Sequence, residues 1–118
     1  MRYVDGYVLP VAKTKVKEYA KIAKIAAKVW KDHGALDYYE CVGDDLTPKW
    51  GVPFPKIVKL KPGDTLVFAF IVYKSRADRD KINAKVMKDP RLACMDPKKM
   101  PVDPKRMLVG GFKVIVQG

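Results

Sequence analysis

Branched and aromatic side chains alternate through Tyr3–Val11 and predict a strand that Pro10 brings to a close. The pattern then changes period. Val16, Tyr19, Ala23, Ala26 and Trp30 recur at steps of three and four, the spacing of one helical stripe, while Lys17, Lys21, Lys24, Lys28 and Lys31 repeat it on another face. Asp32, His33 and Gly34 close this helix, with Gly34 suited to the left-handed position past its last turn. A second strand is expected within Leu36–Leu46, loosened at its far end by Gly43 and two aspartates.

Thr47–Pro55, with three prolines and a glycine, reads as loop, and Ile57–Leu60 as a short edge strand before the turn Pro62-Gly63-Asp64. Leu66–Tyr73 is the clearest strand of the chain. Ser75 then caps a second helix, with Asp78 three residues on and Ile82 and Val86 facing inward, until Asp89-Pro90 ends it. Four prolines break the stretch Asp89–Lys105, which reads as an irregular connection. Met107–Val116 is the last strand, and Gly110-Gly111 suggests a bulge or bend in it.

Two strand–helix–strand halves over one chain of 118 residues predict a single domain spanning residues 1–118, of α+β class. The expected architecture is the ferredoxin-like βαββαβ arrangement, a four-stranded antiparallel sheet with two helices on one face. One feature of the third strand complicates it. Val67, Ala69 and Ile71 alternate with Leu66, Phe68, Phe70 and Val72, so both faces of the sheet are apolar, where an antiparallel sheet with a wetted face should alternate apolar and polar. A second copy of the chain is the economical cover, two sheets face to face in a homodimeric α/β barrel.

Composition narrows the classes. With 48% hydrophobic and 31% charged residues the chain is neither disordered nor low-complexity. Its apolar runs fall far short of the ~20 residues that cross a bilayer, so no membrane partner is expected. MRYVDGYVLPV carries no secretory apolar region, since Asp5 and Gly6 interrupt it, and two cysteines do not form a disulfide framework. The expected location is the cytosol. Cys41 and Cys94 read as ordinary thiols, no metal or cofactor motif is present, and the formal charge of +11 speaks for solubility and attraction to polyanions.

The opening YVDGYVLPV, the run AAKVWKDHGALDYYECVGDD, the segment FAFIVYKSRADRDKINAKVMKDPR and the closing KRMLVGGF resemble the YbaA-like family of bacterial proteins, whose domain has no assigned function. The resemblance covers nearly the whole chain. It implies a ferredoxin-like fold in the dimeric α/β barrel superfamily and supplies no catalytic residues, because the family has none agreed. Nothing in these strings is an RRM or KH signature.

Candidate chemistry follows from sorting side chains by face. If Val4, Gly6 and Val8 lie beneath the helices, then Tyr3, Asp5 and Tyr7, with Tyr38, Glu40, Phe68 and Phe70, line a cavity between the two sheets of the dimer. Tyr7, Tyr38, Glu40, Phe68 and Phe70 are then ligand-binding candidates for a small aromatic or amphipathic molecule. Asp5 and Glu40 are the candidate acid or base, since burial raises a carboxyl pKa. The alternative is structural: carboxylates that accept from tyrosine hydroxyls or pair with arginine or lysine. An enzymatic version, by analogy with the superfamily, would be an oxygenase-like or proton-transfer reaction.

Arg76 and Arg79, in the first turn of the second helix, are anion-binding candidates, with surface ion pairing as the alternative. His33, the single histidine, reads as a helix-terminus residue rather than a haem ligand. The lysine face of the first helix invites an RNA or polyanion reading, but Tyr19 and Trp30 belong to the buried stripe and cannot stack on bases. The loop Leu92–Arg106, carrying Met95 and Met100, is a lid over the barrel mouth or a strap over an edge strand.

Overall fold

A computed structural model describes residues 1–118. Its centre is a ten-residue ladder: β1 (Tyr3–Ala12) pairs antiparallel with β3 (Asp64–Tyr73), from Tyr3 opposite Tyr73 to Ala12 opposite Asp64. β2 (Asp37–Val42) adds to the outer edge of β3 and β4 (Leu108–Lys113) to the outer edge of β1, giving the order β2-β3-β1-β4 with every neighbour antiparallel. The two crossovers carry α1 (Val16–Asp32) and α3 (Arg76–Val86). This is the ferredoxin-like α+β arrangement that the strand and helix order predicts.

The local signals explain most boundaries. Ser75 Oγ accepts from the Asp78 amide at 3.1 Å and starts α3. α1 ends at His33, whose amide bonds back to Val29, and Gly34 follows at φ 117°, open to glycine without strain. β2 stops at Val42, sooner than the sequence suggests, because Leu46 folds back onto Gly43 so closely that a Cβ there would overlap it. The expected edge strand at Ile57–Leu60 does not form. Proline at the first positions instead starts a one-turn helix, α2 (Phe54–Ile57), closed by the Val58 amide on the Phe54 carbonyl at 2.8 Å.

No bulge forms at Gly110-Gly111 either, and β4 keeps register through Gly6 opposite Gly110 and Asp5 opposite Gly111. The glycines make room for rings. The Phe112 ring lies over Gly6 and Gly110 on one face, and the Tyr3 ring fills the place a Gly111 side chain would take on the other.

Which face the helices cover corrects the sorting by side-chain size. Tyr3, Asp5, Tyr7, Leu9 and Val11 point toward the helices, while Val4, Gly6 and Val8 point away. Under α1 and α3 one cluster gathers Tyr3, Ile71 and Tyr73 with Ala26, Val29, Trp30, Ile82 and Val86. A second gathers Leu9, Val11 and Val67 with Tyr19 and Ala23. α3 contributes only Ile82 and Val86 to this layer, so space remains beside α1, and the connection from Pro90 to Met107 fills it. Leu92 and Met95 pack on the first cluster, Met100, Val102 and Met107 on the second.

The opposite face is apolar and largely bare. Leu46 and Phe54 fold over one end of it, against Val8, Leu66 and Phe68. Phe68 at the margin of this cover, and Tyr39, Leu108 and Phe112 on the same face, stand 47%, 53%, 51% and 61% exposed. Tyr39 and Phe68 each stack near Phe70, at 5.1 and 5.8 Å between ring centroids. No helix is long and apolar enough to cross a membrane.

Candidate functional site

Turning β1 over moves the candidate site from between two sheets to within one subunit. Tyr7, Leu9, Tyr38, Glu40, Ala69 and Ile71 form the sheet floor of a cavity of about 210 Å³. Tyr19 and Trp30 of α1 make one wall. Met95, Met100 and Met107, with the prolines and valine between them, close the top. The Leu92–Arg106 segment is therefore a roof over this cavity, laid beside α1 on the helix-bearing face.

The roof is tied down at both ends. Arg91 bridges Asp89 at 2.8 Å and Asp32, at the end of α1, at 2.7 Å, and His33 Nε2 lies 2.9 Å from Asp89. At the far end Arg106 reaches Asp64 and the Lys59 carbonyl, both at 2.9 Å. His33 thus sits in an ion cluster at the helix terminus.

Glu40 is the one ionisable side chain of the cavity apart from its tyrosines. Tyr19 donates to one carboxylate oxygen at 2.7 Å and Tyr38 to the other at 2.6 Å. Burial raises the Glu40 pKa above the usual carboxyl value, and the two hydroxyls oppose that shift. Burial pushes Tyr7 up to about 12. Burial first, and the neighbouring Glu40 second, hold Tyr19 and Tyr38 further above the ordinary phenol range, so all three remain hydroxyls at neutral pH. Trp30 packs at 6.0 Å from Tyr38 and donates from its indole nitrogen to Asn83 at 3.1 Å.

The candidates do not all meet. Tyr7, Tyr38 and Glu40 line this cavity, whereas Phe68 and Phe70 lie on the opposite face of the sheet, so the five share no single site. Asp5 is on the helix side too, but it pairs with Arg79 at 3.0 Å, and its side chain is 5% exposed. Arg79 also bonds Asp80 at 2.8 Å and lies over the Tyr3 ring at 4.9 Å, so its guanidinium is occupied. Arg76 is exposed in the first turn of α3 and makes no ion pair. Cys41 is exposed beside the bare apolar face, and Cys94 lies in the roof.

Sequence reasoning missed Tyr19, Trp30 and the three methionines as cavity residues. The stripe of α1 correctly buries the first two, but nothing local distinguishes a packed ring from one that walls a cavity. Met95 and Met100 in the proline-broken stretch, with Met107 just beyond it, were the available signal, since flexible thioethers suit an irregular, adaptable lining.

Two helices on one face of a β2-β3-β1-β4 sheet, with an apolar cavity between α1, the sheet and the methionine roof, define a ferredoxin-like α+β protein. Solved structures agree. The chain aligns over 99% of its length with 98% of a dimeric ferredoxin-like protein from an uncultured marine organism, at TM-score 0.62 and 12% identity. It aligns over 95% of its length with 93% of a NIPSNAP domain protein from Burkholderia xenovorans, at TM-score 0.58 and 13% identity. Residues 2–104 match the family described as a protein of unknown function, DUF1428, and the chain belongs to that family. The Escherichia coli K12 protein YbaA, described as uncharacterized, is 39% identical over 92 residues, which are 78% of this chain and 79% of YbaA.

Proposed function

We propose that this chain, folded as one domain over residues 1–118, binds a small molecule in the cavity between α1, the sheet and the methionine roof, and that it acts as a homodimer joined through the bare face of its sheet. One observation carries the binding reading: an apolar cavity of about 210 Å³ holds a single carboxylate, that of Glu40. Small-molecule sites have this composition, a mostly apolar lining with a few oriented polar groups. The volume suits a molecule a little larger than benzene, which an engineered cavity of about 150 Å³ accepts.

The dimer reading rests on the exposed apolar face and draws support from the solved structure described as dimeric. Both cysteines are free, which supports a reducing, cytosolic setting. The polyanion reading of α1 ranks below these. Its five lysines are exposed, but Tyr19 and Trp30 are buried beneath them, and no aromatic ring of α1 is free for base stacking. Whether Glu40 also moves a proton depends on the ligand's chemistry.

Methionine methyl resonances test the binding reading directly. Met95, Met100 and Met107 line the cavity, while Met1 and Met87 are exposed elsewhere and serve as internal controls. Titration with a library of small aromatic molecules should shift the first three and leave the other two in place. Uniform shifts, or none, remove the cavity as a binding site.

A further inference from the structure

Glu40 has no cation. Asp5, Asp64 and Asp89, whose side chains are 10% exposed or less, each carry an arginine, Arg79, Arg106 and Arg91 respectively. The chain holds 24 lysines and arginines, yet none bridges Glu40 and none lines its cavity. A carboxylate drawn out of water and left without positive charge is unfavourable, and it is met by protonation or by a cation from elsewhere.

The hydroxyls bound to Glu40 have the same sign, and that of Tyr7, which makes no side-chain hydrogen bond, can accept as well as donate. Tyr19 and Tyr38 turn their hydrogens onto Glu40, so each offers the cavity only oxygen lone pairs. Each Glu40 oxygen accepts one of these bonds and keeps further capacity to accept. Around this acceptor cluster stand the rings of Tyr7, Tyr19, Tyr38 and Trp30, whose faces attract positive charge. An anionic head group would find neither arginine nor lysine there.

We propose that the ligand is a compact organic ammonium ion, its charged nitrogen against Glu40 and the surrounding rings, its apolar body under Met95 and Met100. The proposal rests on the reading that the cavity binds a small molecule, and it names the class. The positive charge of the ligand supplies the ion pair that the fold withholds from Glu40 alone among its enclosed, hydrogen-bonded carboxylates. Raised affinity of Glu40 for a proton fits an empty site, and an ammonium ligand returns the carboxylate to its ionised form.

Three probes of one shape separate charge from fit: phenethylamine, 2-phenylethanol and phenylacetate, titrated into the full chain at pH 7.5 with the Met95, Met100 and Met107 methyls as reporters. The amine should bind at least about tenfold more tightly than the alcohol, and the acid should not bind. Glu40→Gln, which keeps the shape, should bring the amine down to the alcohol's affinity. If the alcohol or the acid matches the amine in the unmodified chain, or if E40Q keeps the amine's advantage, the cationic ligand is wrong while the cavity stands. If no probe shifts the three methyls at about 10 mM, a weak limit for ligands of this size, both readings fall. The comparison in the unmodified chain decides the matter even where E40Q does not fold.

Discussion

Arg79 of α3 reaches across Tyr3 to Asp5 of the central strand, its Nη1 standing 3.0 Å from the carboxylate. The Asp5 side chain is 5% exposed and that of Arg79 20%, so the pair is mostly withdrawn from water. Such a pair adds little over apolar residues of equal shape, but breaking it leaves a buried charge alone. Arg79→Met should therefore destabilise the fold by about 3 kcal/mol, and Asp5→Asn in the R79M background should recover much of the loss. Urea unfolding of the single and double variants measures both. Additive losses would mean that the two side chains act independently.

The same pair marks where sequence reading stopped. Strand and helix order, the Ser75 cap and the stripe of α1 were legible because each rests on neighbours within a turn or two. The orientation of β1 was not. Val4, Gly6 and Val8 are the smaller, less polar set, and size alone puts them beneath the helices. Tyr3 can take that side only because Gly111, more than a hundred residues away in the chain, has no side chain opposite it, and Asp5 only because Arg79 meets it. Both partners lie across the sheet or on another element, where no local pattern points. The apolar character of both faces was legible, since alternation within Leu66–Tyr73 displays it without knowing which face is which.

Glu40 should cost the empty protein stability at neutral pH. Burial raises its pKa in the folded chain, so the folded state holds the proton more firmly than the unfolded state does. The favourable contribution is full below the ordinary glutamate value and is lost as pH rises through the raised one. Glu40→Gln removes this dependence. The ligand-free variant should melt at a temperature equal to or above that of the unmodified chain at pH 7.5, with the difference vanishing near pH 4. A variant that melts lower by the same amount at both pH values would make Glu40 a structural acceptor for Tyr19 and Tyr38 and nothing more.

The roof anchors respond to acid with the opposite sign. Bonds from Arg91 hold the Asp89 and Asp32 carboxyls below the usual range, and Arg106 does the same for Asp64. Depressed folded-state values mean that the unfolded chain takes up protons first as pH falls. Stability from these groups is complete above about pH 4 and drains away below it. The roof methionine methyls should therefore sharpen or shift between pH 4 and 2 before the signals of the sheet change. Asp89→Asn should move that loss to higher pH, because it removes the negative charge that Arg91 pairs with and one of the two carboxylate oxygens that Arg91 and His33 share. Roof and sheet signals changing together throughout would count against separate anchoring.

Exposed aromatic rings on a face that the chain's own loops cover only at one end predict self-association. Phe68 stands near the middle of β3 on that face, 47% exposed, with Phe70 beside it and Val8 across the strand pair. A stable interface buries about 800 Å² per partner, and central aromatic residues carry most of its energy, about 2 kcal/mol or more each. Sedimentation equilibrium at about 10 µM, where interfaces of this size commonly hold, should give the dimer mass. Phe68→Asp should weaken the dimer by about thirtyfold or more, the equivalent of that energy. It should still fold, because Phe68 contributes little to the clusters beneath the helices. A monomer at that concentration for the unmodified chain, or an unchanged dimer for F68D, would mean that the apolar face serves something other than a second copy. The cavity under the methionine roof lies on the opposite side of the sheet, so ligand binding should survive the substitution in either case.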